Sequence, residues 1–148
     1  GPVITGNNNE ITVAWYTRSG GKSNIKVAKS LDYGETFNEP LLIGTNETVG
    51  HISMTTDNKR NTWLLWQKTA KKGLVELVLT KIEPDSNQIM HKIIEEAGKS
   101  PRFSFPQIIR NGETIILAYT TVINDSRETR SSNRKTSIKS LSFNANLY

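Results

Sequence analysis

The sequence contains no cysteine, which removes a disulfide framework, a thiolate metal site and a cysteine nucleophile together. That absence does not fix a compartment, because many extracytoplasmic domains lack disulfides. No apolar run approaches the ~18 residues of a membrane span, and Gly1 opens directly into strand-like sequence with no signal peptide. A secreted parent would carry its signal elsewhere. Good helix formers in periodic arrays are scarce, whereas Thr, Ser, Asn, Ile and Lys are abundant, so the composition leans towards an all-β protein. Only two histidines occur. His51 has no second His or carboxylate at ligand spacing and His91 falls on an expected outer strand, so neither a metal nor a cofactor is expected.

What is present fits one unit. A chain of 148 residues with 35% hydrophobic and 22% charged residues has a core and is neither disordered nor membrane-embedded. The formal charge of +5 is uneven: residues 1 to 98 carry 11 basic and 11 acidic side chains, and residues 99 to 148 carry 8 and 3. Much of the excess falls in Asn124 to Lys135, with Arg127, Arg130, Arg134 and Lys135. Such a loop can meet an anionic glycan or simply be a solvated connection. Nucleic acid is not expected, since no aromatic residues are interleaved for base stacking.

The chain repeats itself. Ile11 to Thr17, Asn61 to Thr69 and Glu113 to Thr121 are apolar, β-branched and aromatic runs in which Trp15, Trp66 and Tyr119 recur at near-constant spacing. A shorter strand precedes each, at Pro2 to Thr5, His51 to Thr55 and Phe105 to Ile109, and a turn signal follows it. A third strand follows at Asn24 to Ser30, Leu74 to Ile82 and Thr136 to Phe143. Fourth strands are expected at Pro40 to Gly44 and Gln88 to Ile94. Met90 to Ala97 has helix-forming residues, but the repeat argues for a strand. About four antiparallel strands in ~40 to 50 residues is the arithmetic of a β-propeller blade. The expectation is an all-β chain of about three four-stranded blades, over residues 1–49, 50–99 and 100–148. Central runs that are apolar on both faces fit sheets packed between neighbours.

Ser30-Leu31-Asp32-Tyr33-Gly34-Glu35-Thr36-Phe37 matches S-x-D-x-G-x-T-[FW]. Ser30, Asp32 and Thr36 can hydrogen-bond the backbone of a tight turn, Gly34 permits positive φ, and Phe37 is expected to plug an apolar layer. This is the Asp box, or BNR repeat, of the sialidase-like propellers, where it joins the third and fourth strands of a blade, as it would here. Gly1-Pro2-Val3, Val13 to Thr17, Gly50 to Ser53, Leu65-Trp66, Phe105-Pro106 and Leu117 to Thr120 resemble later blades of bacterial sialidase-like proteins, so the resemblance covers nearly the whole chain. It implies a six-bladed ring, a periplasmic or secreted setting, and further blades on the same or a second chain. The second repeat has Pro84-Asp85-Ser86-Asn87, an ordinary turn, where a box would stand.

Sialidases of this family grip the sugar carboxylate with three arginines and use a tyrosine nucleophile activated by glutamate, with an aspartate as acid and base. Guanidinium suits a carboxylate, and a cationic transition state favours a phenolate over a further carboxylate. Nothing here matches the F-R-I-P-like stretch that carries the first arginine, and the position nearest the tyrosine is Phe105, which has no oxygen. No catalytic residue is carried over. The resemblance implies a non-catalytic binding or scaffold module; the alternative is an exo-sialidase whose catalytic residues lie mostly in other blades. Asp32 is expected to be structural. A ligand face is expected from the second-to-third-strand loops, with Arg18, Lys22, Lys71, Lys72 and Arg127, and from His51, Arg102 and Phe105 beside the innermost strands. Its partner would be an anionic glycan or an acidic protein. His91 is expected to be exposed on an outer strand.

Overall fold

The computed structural model describes residues 1–44, 47–97, 104–122 and 136–148. Within them the chain forms three antiparallel sheets and no α-helix. Sheet A has the order β1(Val3–Asn7), β2(Glu10–Ser19), β3(Lys22–Ser30), β4(Leu41–Ile43). Sheet B repeats it with β5(Thr48–Thr56), β6(Thr62–Thr69), β7(Val75–Ile82), β8(Ile89–Ala97). Sheet C contains β9(Ser104–Asn111), β10(Thr114–Val122) and β11(Thr136–Asn144), with three strands among the described residues rather than the four expected. Single 3-10 turns at Lys71–Gly73 and Ala145–Leu147 complete the order.

Each sheet is a meander because each strand is short, β-branched and bounded by turn formers. Asn8, in the left-handed region at φ 55°, closes the loop between the paired Asn7 and Glu10, and Gly112 serves between β9 and β10. Met90 to Ala97 lies within β8, paired along β7. Tertiary pairing overrides its helical propensity, because β7 offers it a ladder and an apolar flank.

The core is two layers, one on each side of sheet B. Alternation along β6 sends Leu64 and Trp66 towards sheet A, where they meet Ala14, Ile25, Val27 and Ile43. It sends Trp63 and Leu65 towards sheet C, to meet Ile108, Ile115, Leu117 and Tyr119. β6 and β7 are therefore buried on both faces, apart from the last residues of β6, which is why their sequences read as continuous apolar runs. The sheets adjoin along their first strands, β1 against β5 and β5 against β9. Ser53 Oγ on β5 accepts the Ile108 N–H of β9 at 3.1 Å.

The turns gather at two ends of these sheets. At one, Arg60 of the β5–β6 turn bridges to Glu10 and approaches Asp85 at 3.8 Å, and Arg110 donates to Asn58. At the other lie the β2–β3 and β6–β7 hairpins, where Ser23 and Lys71 line one cleft of about 420 Å³ with Glu47, Thr48 and Thr69.

Candidate functional site

Ser30 to Thr36 forms a closed hydrogen-bonded unit. Ser30 Oγ donates to Asp32 Oδ1 at 2.6 Å and accepts the Gly34 N–H at 2.8 Å. Asp32 Oδ1 also accepts the Thr36 N–H at 2.9 Å, while Thr36 Oγ1 donates to Oδ2 at 2.5 Å. Gly34 sits at φ 92°, where a side chain would be strained. Asn9 ties the unit to the β1–β2 turn, donating to Leu31 O at 2.5 Å and accepting the Tyr33 N–H at 2.9 Å. Hydrogen bonds from Ser30 and then Thr36 hold the Asp32 carboxyl down at about 2, because they favour its charged form. Every acceptor site of this carboxylate that the donors reach is turned towards its own loop.

Phe37, expected to plug an apolar layer, is 45% exposed and so only partly covered among the described residues. After Ser30 the chain leaves β3 and is tied back to it at Asn38, whose N–H donates to Lys29 O at 2.9 Å and whose Oδ1 accepts the Lys29 N–H at 2.8 Å, before β4 begins at Leu41. In the second repeat, Pro84 to Asn87 makes a turn in which Ser86 bonds Glu83 and the Gln88 N–H, without any carboxylate bridge of the box type.

Asp32 lies two residues beyond Ser30, the last residue of β3, and Lys22 is the first. At ~3.3 Å per residue the nine-residue strand separates them by roughly 27 Å. Arg18 pairs with Ser23, and Lys22 with Ser19, so both stand at the hairpin end together with exposed Lys71 and Lys72. Four cations on adjacent hairpins make that end positive. Arg102, Arg127 and the basic stretch from Asn124 to Lys135 lie outside the described residues.

His51 and Phe105 meet at this same end. Their rings stand edge to face, with centroids 4.8 Å apart and planes at 71°. Both strands break register there: β5 bulges against β6 between Val49 and Ser53, and β9 bulges against β10 opposite the stretch from Ala118 to Thr120. His51 has φ 59° and Phe105 has φ 45°, a region that costs bulky residues on the order of 1–3 kcal/mol. The bulges turn both rings out of the ladder. Phe105 is 70% exposed despite being aromatic. Two equivalent first strands thus accept strain to present a pair of rings to solvent.

A tyrosine–glutamate pair does exist, at a different place. Tyr119 on β10 donates to Glu95 on β8 at 2.5 Å, and Lys139 Nζ reaches both Glu95 oxygens at 2.8 and 2.9 Å. Burial first, then the Glu95 hydrogen bond and charge, push the Tyr119 phenol well above its ordinary value. Burial raises the Glu95 carboxyl, but the bonds from Lys139 and Tyr119 outweigh it and the net direction is down. Lys139 on β11 holds Glu95 in its charged, hydrogen-bonded form, and together these bonds strap β8 of sheet B to β10 and β11 of sheet C.

One cleft had no signal in the sequence. Gly44, Glu47, Trp66, Lys68, Val78, His91 and Ile93 line a space of about 320 Å³. Trp66 Nε1 donates to Thr80 Oγ1 at 2.8 Å, and Thr80 Oγ1 lies 2.8 Å from His91 Nδ1. The Thr80 hydroxyl thus accepts from the indole and joins it to the imidazole in one chain of hydrogen bonds. His91 is exposed as expected, yet its ring stacks edge-on against Trp66. Burial of that side, then the Lys68 charge, lowers its pKa. Trp66 reads in the sequence as a repeat core residue, and only the fold brings His91 beside it.

Among the described residues, no group of three or more His, Asp or Glu side chains is placed to hold a metal ion, and no helix is long and apolar enough to cross a membrane. Comparison with known proteins finds no matching family model and no matching curated protein.

Proposed function

We propose that the chain is part of a sialidase-like Asp-box β-propeller acting as a non-catalytic module that binds an anionic glycan. The observation that carries this reading is the His51–Phe105 pair, strained into solvent at the end that also holds Arg18, Lys22, Lys71 and Lys72. A pyranose ring offers electropositive C–H groups to the face of an aromatic ring, and its carboxylate or sulfate is drawn to the neighbouring cations. Three antiparallel sheets adjoining along their first strands, and a hydrogen-bonded Asp box between the third and fourth strands of one of them, support the propeller assignment. A six-bladed ring would require further blades from the same or a second chain, and the family resemblance favours an extracytoplasmic setting.

The catalytic alternative has little support among the described residues. Phe105 supplies no nucleophile, and the tyrosine bonded to a glutamate, Tyr119, lies between sheets B and C with that glutamate already engaged by Lys139. The deciding experiment compares immobilised sialylated, sulfated and neutral oligosaccharides, with a fluorogenic sialoside assayed in parallel. The expected result is binding to the acidic sugars that weakens with salt, is lost in Phe105→Ala and is retained in Asp32→Asn, with no sialoside turnover. Turnover by the unmodified chain, or binding indifferent to Phe105→Ala, would sink the reading. Capture of an acidic protein with no affinity for any sugar would replace the glycan with a protein partner.

A further inference from the structure

The three sheets repeat one another position by position. With Trp15, Trp66 and Tyr119 taken as equivalent, the strand registers make Ile4, Met54 and Ile108 equivalent through their partners Val13, Leu64 and Leu117. The next register step makes Ile25, Leu77 and Ile138 equivalent through Tyr16, Gln67 and Thr120. Each sheet therefore has a leading face, carrying the first set, and a trailing face, carrying the second.

Both internal interfaces obey one rule. The leading face of sheet B, with Met54, Leu64 and Trp66, packs on the trailing face of sheet A, with Ala14 and Ile25. The leading face of sheet C, with Ile108, Leu117 and Tyr119, packs on the trailing face of sheet B, with Leu65 and Leu77. Among the described residues, one leading and one trailing face are left over. Ile4 on the leading face of sheet A is 68% exposed, whereas its equivalents Met54 and Ile108 are buried. Ile138 on the trailing face of sheet C is 78% exposed, whereas Ile25 and Leu77 are fully buried. Leu42 and Ile109 are exposed on the same two outer faces. These surfaces carry core-type residues, and because both are open at once they do not meet within one chain.

We propose that the open leading face of sheet A is covered by the open trailing face of sheet C from a second copy of this chain. The contact continues an interface the molecule already makes twice. It is heterologous, so a twofold arrangement of two copies closes the stack through two identical junctions, and three sheets from each copy fall within the usual range for such rings. The pairing needs only the equivalence of the sheets and stands whether or not the rings at His51 and Phe105 hold a sugar.

Sedimentation of the unmodified chain over a concentration series should give a species of twice the 16.6 kDa chain mass. Ile4→Lys and Ile138→Glu, each placing a charge in the junction, should each weaken it by about a hundredfold. Both positions are exposed in the single chain, so far-ultraviolet spectra and melting of the separated chains should be unchanged. Mixing the two variants is the decisive arm. In a head-to-tail pair, one junction then joins Lys to Glu and the other is unmodified, so the dimer returns. A monomeric unmodified chain, a dimer indifferent to both substitutions, or a mixture that fails to reassociate would overturn the proposal. An open oligomer lost in either variant and regained on mixing supports the same contact without closure.

Discussion

Trp63 Nε1 donates a hydrogen bond to Asp57 Oδ2 at 2.8 Å, joining a core indole to a buried carboxylate six residues earlier. Asn61 Nδ2 gives the same oxygen a second bond at 2.8 Å, and the Lys59 and Asn61 N–H groups both donate to Oδ1 at 2.9 Å. The β5–β6 turn is thus wound around one side chain. Asp57→Asn keeps the volume but turns an amide N–H towards one pair of donors. It should cost about 1.5–3 kcal/mol, the range for hydrogen bonds to a charged group. Urea denaturation followed by tryptophan fluorescence would measure it; an unchanged midpoint would show that the turn does not depend on this carboxylate.

Asp32 differs from Asp57 in facing the rim, and its effect should be read through pH. Its carboxyl is held at about 2 against an ordinary 3.8. A lowered folded-state value means that the stabilisation is complete above 3.8 and disappears as pH falls through about 2. Asp32→Asn should therefore melt several degrees below the unmodified chain at neutral pH, with the gap closing across that acid window. A gap independent of pH would assign the loss to something other than ionisation.

Two glycines with positive φ separate strain from crowding. At Gly44, φ 69°, an added Cβ would come within 2.7 Å of the Trp66 ring and 2.9 Å of Thr48 Oγ1. At Gly34, φ 92°, it would meet nothing within 4 Å. Gly34→Ala should show the backbone term alone, on the order of 1 kcal/mol, and Gly44→Ala that term plus roughly 1–3 kcal/mol of overpacking. Equal losses by thermal melting would mean that Trp66 yields freely.

His91 offers an optical test. Its neutral ring is favoured by burial and by the Lys68 charge, so protonation beside Trp66 should quench the indole with a midpoint below the ordinary 6.5. The sign for stability matches: a lowered value contributes above 6.5 and is lost as pH falls. His91→Gln should abolish the fluorescence step. A step that persists in this variant would belong to another group.

The strand plan was legible because each central run is long, β-branched and repeated. Only that repetition settled Met90 to Ala97 against its own propensity. The half-exposure of Phe37 was not legible, because a motif specifies local bonds and not what lies above them. His51 and Phe105 were legible as neighbours of the first strands. Their left-handed backbone was not, since neither residue type signals it. The bond from Trp63 to Asp57 crosses the hairpin that Asp57 closes, and sequence spacing does not show it. Trp66 and His91 meet through Thr80, a partnership that depends on the β7–β8 register and leaves no mark on sequence spacing.

Ser53 Oγ fills the place where a neighbouring strand's carbonyl would otherwise meet the Ile108 amide. β9 is an edge strand of its own sheet, and an edge with free amides invites the adjacent strand to zip onto it. A hydroxyl satisfies one amide and offers no ladder to propagate. The consequence is a seam: β5 and β9 are fastened together while remaining in separate sheets, and the Ile108 amide should exchange with deuterium as slowly as an interior one.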